Sequence, residues 1–341
     1  MGFAIVVAAA LALRSPQVLR MRDSVTNQEI SLVGTVHYNP ASVARSKEEV
    51  RLVISQKEKL GAVVVESCTN RWERSAELAP PGSLISNFIR SEMQAAAGVA
   101  LQNDIPVMLG DADAGPFLQR VRALAKSTAK QLVDPLGGGW ASIYRDLART
   151  LPGTINPKDV ASSELLLDGE APIGPADFAQ KEMLLGFLAS LVRYPAAFAL
   201  KAPVPFGIFA ASLYTLEATA NQLDSLADAS ISAGEVVSLP VAATLIFSAV
   251  GTGLNVLLAR LLLVAFLEER NAELARSIRR AAAEKDGPVV AVLGGLHVNG
   301  VARLLMSEET PDADKEAWGR DADGVWWEPP PDLDAKKWAY E

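Results

Sequence analysis

The sequence predicts an α/β protein, a mixed sheet flanked by helices, whose sheet domain is built from both ends of the chain and carries a hydrophobic helical insertion that enters a membrane. Three observations lead there. Short strand-forming runs alternate with helical periodicity over residues 16–135 and again over 261–306. Between them lies an apolar section over 181–260. Finally, the only two histidines of the chain share one local pattern, Gly34-Thr35-Val36-His37 and Gly294-Gly295-Leu296-His297, each after a run of strand formers. A strand, a glycine that lets the backbone turn and an imidazole three residues later suits the carboxyl end of an α/β strand, where ligands gather. We read the two motifs as halves of one site.

The elements follow in order. Met1 to Leu13 is almost wholly apolar and ends at Arg14, which reads as a signal or anchor segment over residues 1–15. Val18 to Arg22 and Glu29 to Val33, joined by a polar turn, predict a hairpin whose second strand delivers Gly34 and His37. Ser46-Lys47-Glu48-Glu49 has capping-box spacing, and Val50, Val53, Ile54 and Leu60 continue at helical spacing until Gly61. Ala62 to Val65 is a β-branched run of the kind covered on both faces, and it ends on Glu66. Leu84 to Gln102 reads as a helix and Ile105 to Leu109 as a strand that closes on Asp111, a second acid just past a strand. Pro116 to Ala129 returns to helical spacing, and a linker is expected over 136–180, where Gly, Pro and acidic residues collect.

Val236 to Leu258 carries no charged residue and is long enough to cross a hydrocarbon core, which needs roughly 20 residues. With the apolar run from Met183 to Leu216 it predicts a transmembrane hairpin, so that both histidines stay on one side. Leu261 to Ala283 is an amphipathic helix stopped by Asp286-Gly287-Pro288; the strand Val289 to Leu293 then delivers Gly294 and His297, and a helix runs on to Met306. The tail, 307–341, is acidic, and its tryptophans Trp318, Trp326, Trp327 and Trp338 are expected to pack on the domain or on a partner.

Composition bounds the function. The 341 residues are 50 % hydrophobic against 21 % charged, with a mean hydropathy of +0.18, which leans toward a membrane. A net charge of −8 argues against a general nucleic-acid surface, which needs excess Lys and Arg. The single cysteine, Cys68, excludes an internal disulfide and a Cys-based structural zinc site. No Gly-Lys-Ser/Thr follows Gly137-Gly138-Gly139, so that run is no phosphate loop, and no nucleophile-elbow motif supports a serine hydrolase. Two neutral imidazoles and a carboxylate are a ligand set for a catalytic Zn-like ion with an open position for water. Glu66 serves there as ligand, or as general base with Asp111 as a ligand, or one histidine acts as base with no metal at all.

Gly-Thr-Val-His (34–37), Val-Val-Glu-Ser-Cys-Thr-Asn-Arg (64–71), Glu-Arg-Asn (269–271) and Val-Leu-Gly-Gly-Leu-His (292–297) together resemble the TraB/PrgY family. That family is related to the TIKI membrane-anchored metalloproteases and, more distantly, to GumN-like and erythromycin-esterase-like proteins. The match covers Val18 to about Arg120 and Leu261 to Leu305. It implies an α/β fold with facing Gly-x-x-His motifs and, by the TIKI relatives, divalent-metal-dependent peptide cleavage with Zn, Mn or Co. Carried over, it makes His37, Glu66 and His297 the catalytic and metal-binding residues, with Asp111 a further ligand. Gly34 and Gly294 give backbone access, and Arg71, Arg270 and Asn271 support the site. Where many members have an Asp-Arg pair after the third strand, this chain has Asp111-Ala112-Asp113. The expected function is a membrane-associated metal-dependent hydrolase acting on a peptide or protein signal. The alternative is a non-catalytic membrane protein that sequesters a peptide or tethers membranes.

Overall fold

The computed structural model describes residues 15–57, 59–134, 136–155, 158–167, 169–201, 203, 206–207, 214, 250–308 and 324–340. The expected signal segment, Trp318 and most of the uncharged run from Val236 lie outside these residues. The chain forms an α/β fold around a six-stranded mixed sheet with helices on both faces.

The first strands, β1 (Val18–Arg22) and β2 (Glu29–Thr35), form the predicted antiparallel hairpin, with Arg22 opposite Glu29. Asp23 shapes its turn by accepting the Thr26 amide at 2.7 Å. Helix α1 (Pro40–Gln56) starts earlier than the Ser46 signal implied. Asn39 caps it through the Ala41 amide at 2.9 Å with Pro40 in the first turn, and Ser46 lies buried inside, bonded to the Ser42 carbonyl. Asn-Pro is the stronger start signal, because the proline presets φ and needs no amide partner.

Strand β3 (Ala62–Val65) is buried along its whole length, and helix α2 (Thr69–Leu78) follows it. The single helix expected over 84–102 is two, α3 (Leu84–Phe88) and α4 (Glu92–Leu101). Ser91 restarts the chain as a cap, accepting the Gln94 amide. Strand β4 (Val107–Leu109) leads into α5 (Ala114–Leu132).

The expected linker over 136–180 is largely structured. It holds helix α6 (Gly139–Ile155), the short helix α7 (Lys158–Ala161) and a 3₁₀ turn, Pro175–Phe178. Ile143 on α6 and Val160 on α7 are buried, so a few well-placed apolar residues outweigh a composition rich in breakers.

Helix α8 (Lys181–Lys201) and the 35-residue α9 (Val250–Glu284) are both long and apolar enough to cross a membrane. Each keeps apolar side chains exposed: Leu185 and Leu188 on α8, Val250, Leu258 and Leu262 on α9. Between Leu261 and Glu269, α9 widens into a π-helix before resuming at Arg270.

Strand β5 (Val289–Gly294) and helix α10 (Gly295–Leu305) follow. The tail adds β6 (Val325–Trp327) to the sheet and the short helix α11 (Ala335–Ala339). Trp327 and Trp338 lie with their ring centroids 5.2 and 5.1 Å from that of Trp72, so these tail tryptophans pack on the domain.

The strand order is β1-β2-β5-β3-β4-β6, with the four central strands parallel and both edges antiparallel. Alternate residues serve opposite faces. Leu32, Val64, Ala291 and Leu293 pack beneath α9 and α10, while Val33, Val63, Val65 and Val292 pack against α1 and α4. Strand β5 lies between β2 and β3, with Thr35 paired to Gly294 and Val65 to Val292. The two histidine motifs therefore leave adjacent strands on the same side of the sheet, and Glu66 and Asp111 leave the next two.

Candidate active site

His37 follows β2 by two residues. Its Nδ1 lies 2.6 Å from Glu92 Oε1, and Glu92 also accepts the Tyr38 amide at 3.2 Å. That amide contact holds Tyr38 in a left-handed conformation, φ +61°, uncommon outside glycine. Glu92 sits in the first turn of α4, where the helix dipole favours a carboxylate. The carboxylate fixes the imidazole as the Nδ1–H tautomer and leaves Nε2 as the acceptor. Burial by itself depresses the His37 pKa, but the Glu92 charge and hydrogen bond outweigh it and raise the pKa above its ordinary value. Glu92 is lowered in turn by His37.

His297 occupies the first turn of α10, buried, with Nδ1 2.7 Å from Asn271 Oδ1. Here burial is the largest influence and lowers the pKa below its ordinary value, against the neighbouring Glu66 charge. Its Nε2 lies 3.4 Å from Glu66 Oε1.

Glu66 follows β3 directly and is buried. Its Oε2 accepts the Gly294 amide at 2.5 Å, and Oε1 accepts from Arg270 at 2.5 Å. Burial opposes ionisation, yet His297 and Arg270 hold the carboxyl low, at about 2. Asp111, past β4, is bridged by Arg71 and Arg270 and is held well below the carboxylate range against its burial. The π-helical stretch of α9 ends where Arg270 and Asn271 are presented, a common placement for such irregularities near function.

Gly294 is where these groups meet. A Cβ there would stand 3.2 Å from Glu66 Oε2, 3.5 Å from His37 Nε2 and 3.5 Å from His297 Cδ2. Gly34 plays another part than the expected backbone access. Its absent side chain makes room for Val298 and Ile173, 3.1 and 3.2 Å from a Cβ, and so for the docking of α10.

A cavity of about 450 Å³ opens over these strand ends, with His37, Glu66, Asp111 and Arg270 on its floor. Helix α8 forms one wall. Tyr194 stacks on His37 with centroids 6.2 Å apart, and Lys201 Nζ donates to the Tyr38 hydroxyl at 3.2 Å. His37 keeps 35 % of its side-chain surface open, His297 only 7 %.

The structure thus brings His37, Glu66, His297, Asp111, Arg71, Arg270 and Asn271 together around Gly294. Sequence reasoning missed Glu92, Tyr38, Tyr194 and Lys201. A glutamate after a serine cap reads as ordinary dipole compensation, and nothing local marks it as the partner of a histidine 55 positions earlier.

The fit to a divalent metal is poor. Among the described residues no group of three His, Cys, Asp or Glu side chains is gathered to hold one. Both Glu66 oxygens are engaged, and Asp111 is neutralised by two guanidinium groups, so Arg270 already supplies the positive charge that a cation would bring. Comparison with family models and with curated proteins finds no match for this chain.

Proposed function

We propose that this protein is a membrane-associated hydrolase of ester or amide bonds in which His37 is the general base. The observation that carries the reading is the His37–Glu92 pair: an imidazole that lines an open cavity, clamped at Nδ1 by a buried carboxylate and with its other nitrogen turned toward Gly294. In this mechanism Nε2 takes a proton from water as the water oxygen bonds to the substrate carbonyl carbon, and Glu92 stabilises the imidazolium. Arg71 and Arg270, which line the same cavity, provide positive field for the developing oxyanion. The proton then passes to the leaving alcohol or amine. Glu66, ionised and fully engaged, organises Gly294, Arg270 and His297 rather than acting on water.

Membrane association is supported by the exposed apolar faces of α8 and α9, and the hydrolase class by the motif resemblance to the TraB/PrgY group. The divalent-metal expectation is not favoured by the way the donors are used, and no step is routed through a metal. The test is hydrolysis of a panel of p-nitrophenyl esters and p-nitroanilides by the purified chain, before and after chelator treatment, beside His37→Asn. Chelator-resistant turnover that falls by about 10²–10⁴-fold in His37→Asn is expected. Turnover abolished by chelator and restored by Zn²⁺, Mn²⁺ or Co²⁺ would return the mechanism to a metal-bound water. Turnover indifferent to His37 would remove the base assignment.

A further inference from the structure

We infer that the ligand of this site is an anionic amphiphile, a phosphate or carboxylate head with an alkyl chain, drawn from a membrane surface. The inference rests on the hydrolase reading and names the substrate class. The charges lining the cavity decide the head. Of its three carboxylates, Glu66 and Asp111 are matched by Arg270 and Arg71, and Glu92 is hydrogen-bonded to His37 and carries the one charge left over when that ring is neutral. Two further cations outnumber it. Arg74 is exposed and meets no carboxylate among the described residues, and the Lys201 ammonium, within the field of Glu92, contacts the hydroxyl and the ring face of Tyr38, 3.2 Å and 5.3 Å away. A cavity with surplus positive charge in a chain of net charge −8 selects an anion by local field against the field of the whole molecule.

The chain of the ligand is decided by the other walls. Phe117 and Phe266 meet edge-on with centroids 4.9 Å apart, and both line the cavity. Phe266 is itself 39 % exposed and continues a row of exposed apolar residues on α9, Leu258 and Leu262. Helix α8 repeats the arrangement, with Tyr194 and Ala197 in the cavity and Leu188, Leu191 and Val192 outside. An alkyl chain leaving the cavity past Phe266 stays on apolar surface, which a free phosphate or an acidic peptide does not exploit. Where the alkyl chain of such a ligand is joined to its anionic head through an ester or amide, hydrolysis bonds the water oxygen to that carbonyl carbon, breaks its C–O or C–N bond, and gives a carboxylic acid and an alcohol or amine.

The experiment is isothermal titration of the full chain, in neutral lipid nanodiscs, with octyl phosphate below its micelle concentration. Octyl glucoside, octyltrimethylammonium, inorganic phosphate and an acidic tripeptide are the comparison ligands, and empty nanodiscs are titrated as the blank. Octyl phosphate is expected to bind about tenfold tighter than each of the others, a difference of about 1.4 kcal/mol. Arg74→Glu should weaken octyl phosphate by about tenfold and leave octyl glucoside within about twofold. Equal binding of the three octyl compounds, equal binding of inorganic phosphate or of the peptide, or indifference to Arg74→Glu would each overturn the inference. Because His37→Asn still binds octyl phosphate if the inference holds, absence of turnover in the wild type with this selectivity intact defeats the hydrolase reading alone.

Discussion

The same four-residue pattern occurs twice in this molecule and yields two histidines of opposite character. After β2 the imidazole lies open on the cavity floor against a carboxylate and its pKa rises; after β5 it lies buried against an amide and its pKa falls. The motif sets where the ring sits on the sheet, and the residue that holds Nδ1 sets what the ring does. A pair that looks symmetrical in sequence divides into one ring whose pKa is raised and one whose pKa is lowered.

The division can be broken at several points. The largest effect is expected from exchanging each ring for asparagine. His37→Asn should cut kcat/KM by about 10²–10⁴-fold with little change in Tm. His297→Asn should act mainly by lowering Tm, because it disturbs a buried contact with Asn271 and Glu66. Equal losses of turnover with equal Tm changes would mean that the two rings share one role.

Next come the partners. A base must be neutral to act, so turnover should rise as pH climbs through the raised His37 pKa, above 6.5. Glu92→Gln removes the charge that raises it, and the rising limb should move to lower pH with a rate loss of about tenfold. Asn271→Asp should move His297 the other way. With only two histidines in the chain, NMR titration of the two C2 protons reads both shifts directly.

A smaller effect separates the glycines. Gly34→Ala presses on Val298 and Ile173 and should cost about 1–3 kcal/mol of stability while sparing kcat. Gly294→Ala presses on Glu66 and sets a methyl against both histidines, and should lower kcat more than Tm. The smallest effect concerns acid. Glu66, ordinarily near 4.5 and held at about 2 when folded, adds stability that is complete above 4.5 and drains as pH falls through about 2. Glu66→Gln should flatten the acid dependence of Tm over that window, and an unchanged slope would show that the carboxylate is not charged in the folded state.

Much of the sheet was legible because its signals are local. The run Ala62 to Val65, the hairpin turn at Asp23 and the strand before Gly294 each declare themselves within a few residues. So did the strand-end acids and Arg71, Arg270 and Asn271, through the motifs that contain them. What was missed is tertiary. The break between α3 and α4 depends on Ser91 winning as a cap over a pattern that reads as continuous, and the helix over 139–155 buries Ile143 despite its flanking glycines. Glu92 is legible only once α4 packs beside His37, and α8 becomes a wall of the cavity only through Tyr194 and Lys201, which sequence distance hides. The metal expectation came from donor types and from the family resemblance, and neither reveals that guanidinium groups engage the carboxylates here.

Strand β5 lies at the centre of the sheet and is made long after the two strands that flank it. Its neighbours β2 and β3 emerge from the ribosome long before it, and Thr35 waits 258 positions for the Leu293 carbonyl to which its hydroxyl donates. During synthesis these two β-rich segments flank a slot that nothing native can fill. Pairing of this range is slow, and unfilled strand edges invite wrong partners. A product that stops short of residue 294 lacks the strand that joins β2 to β3, and its sheet stays split.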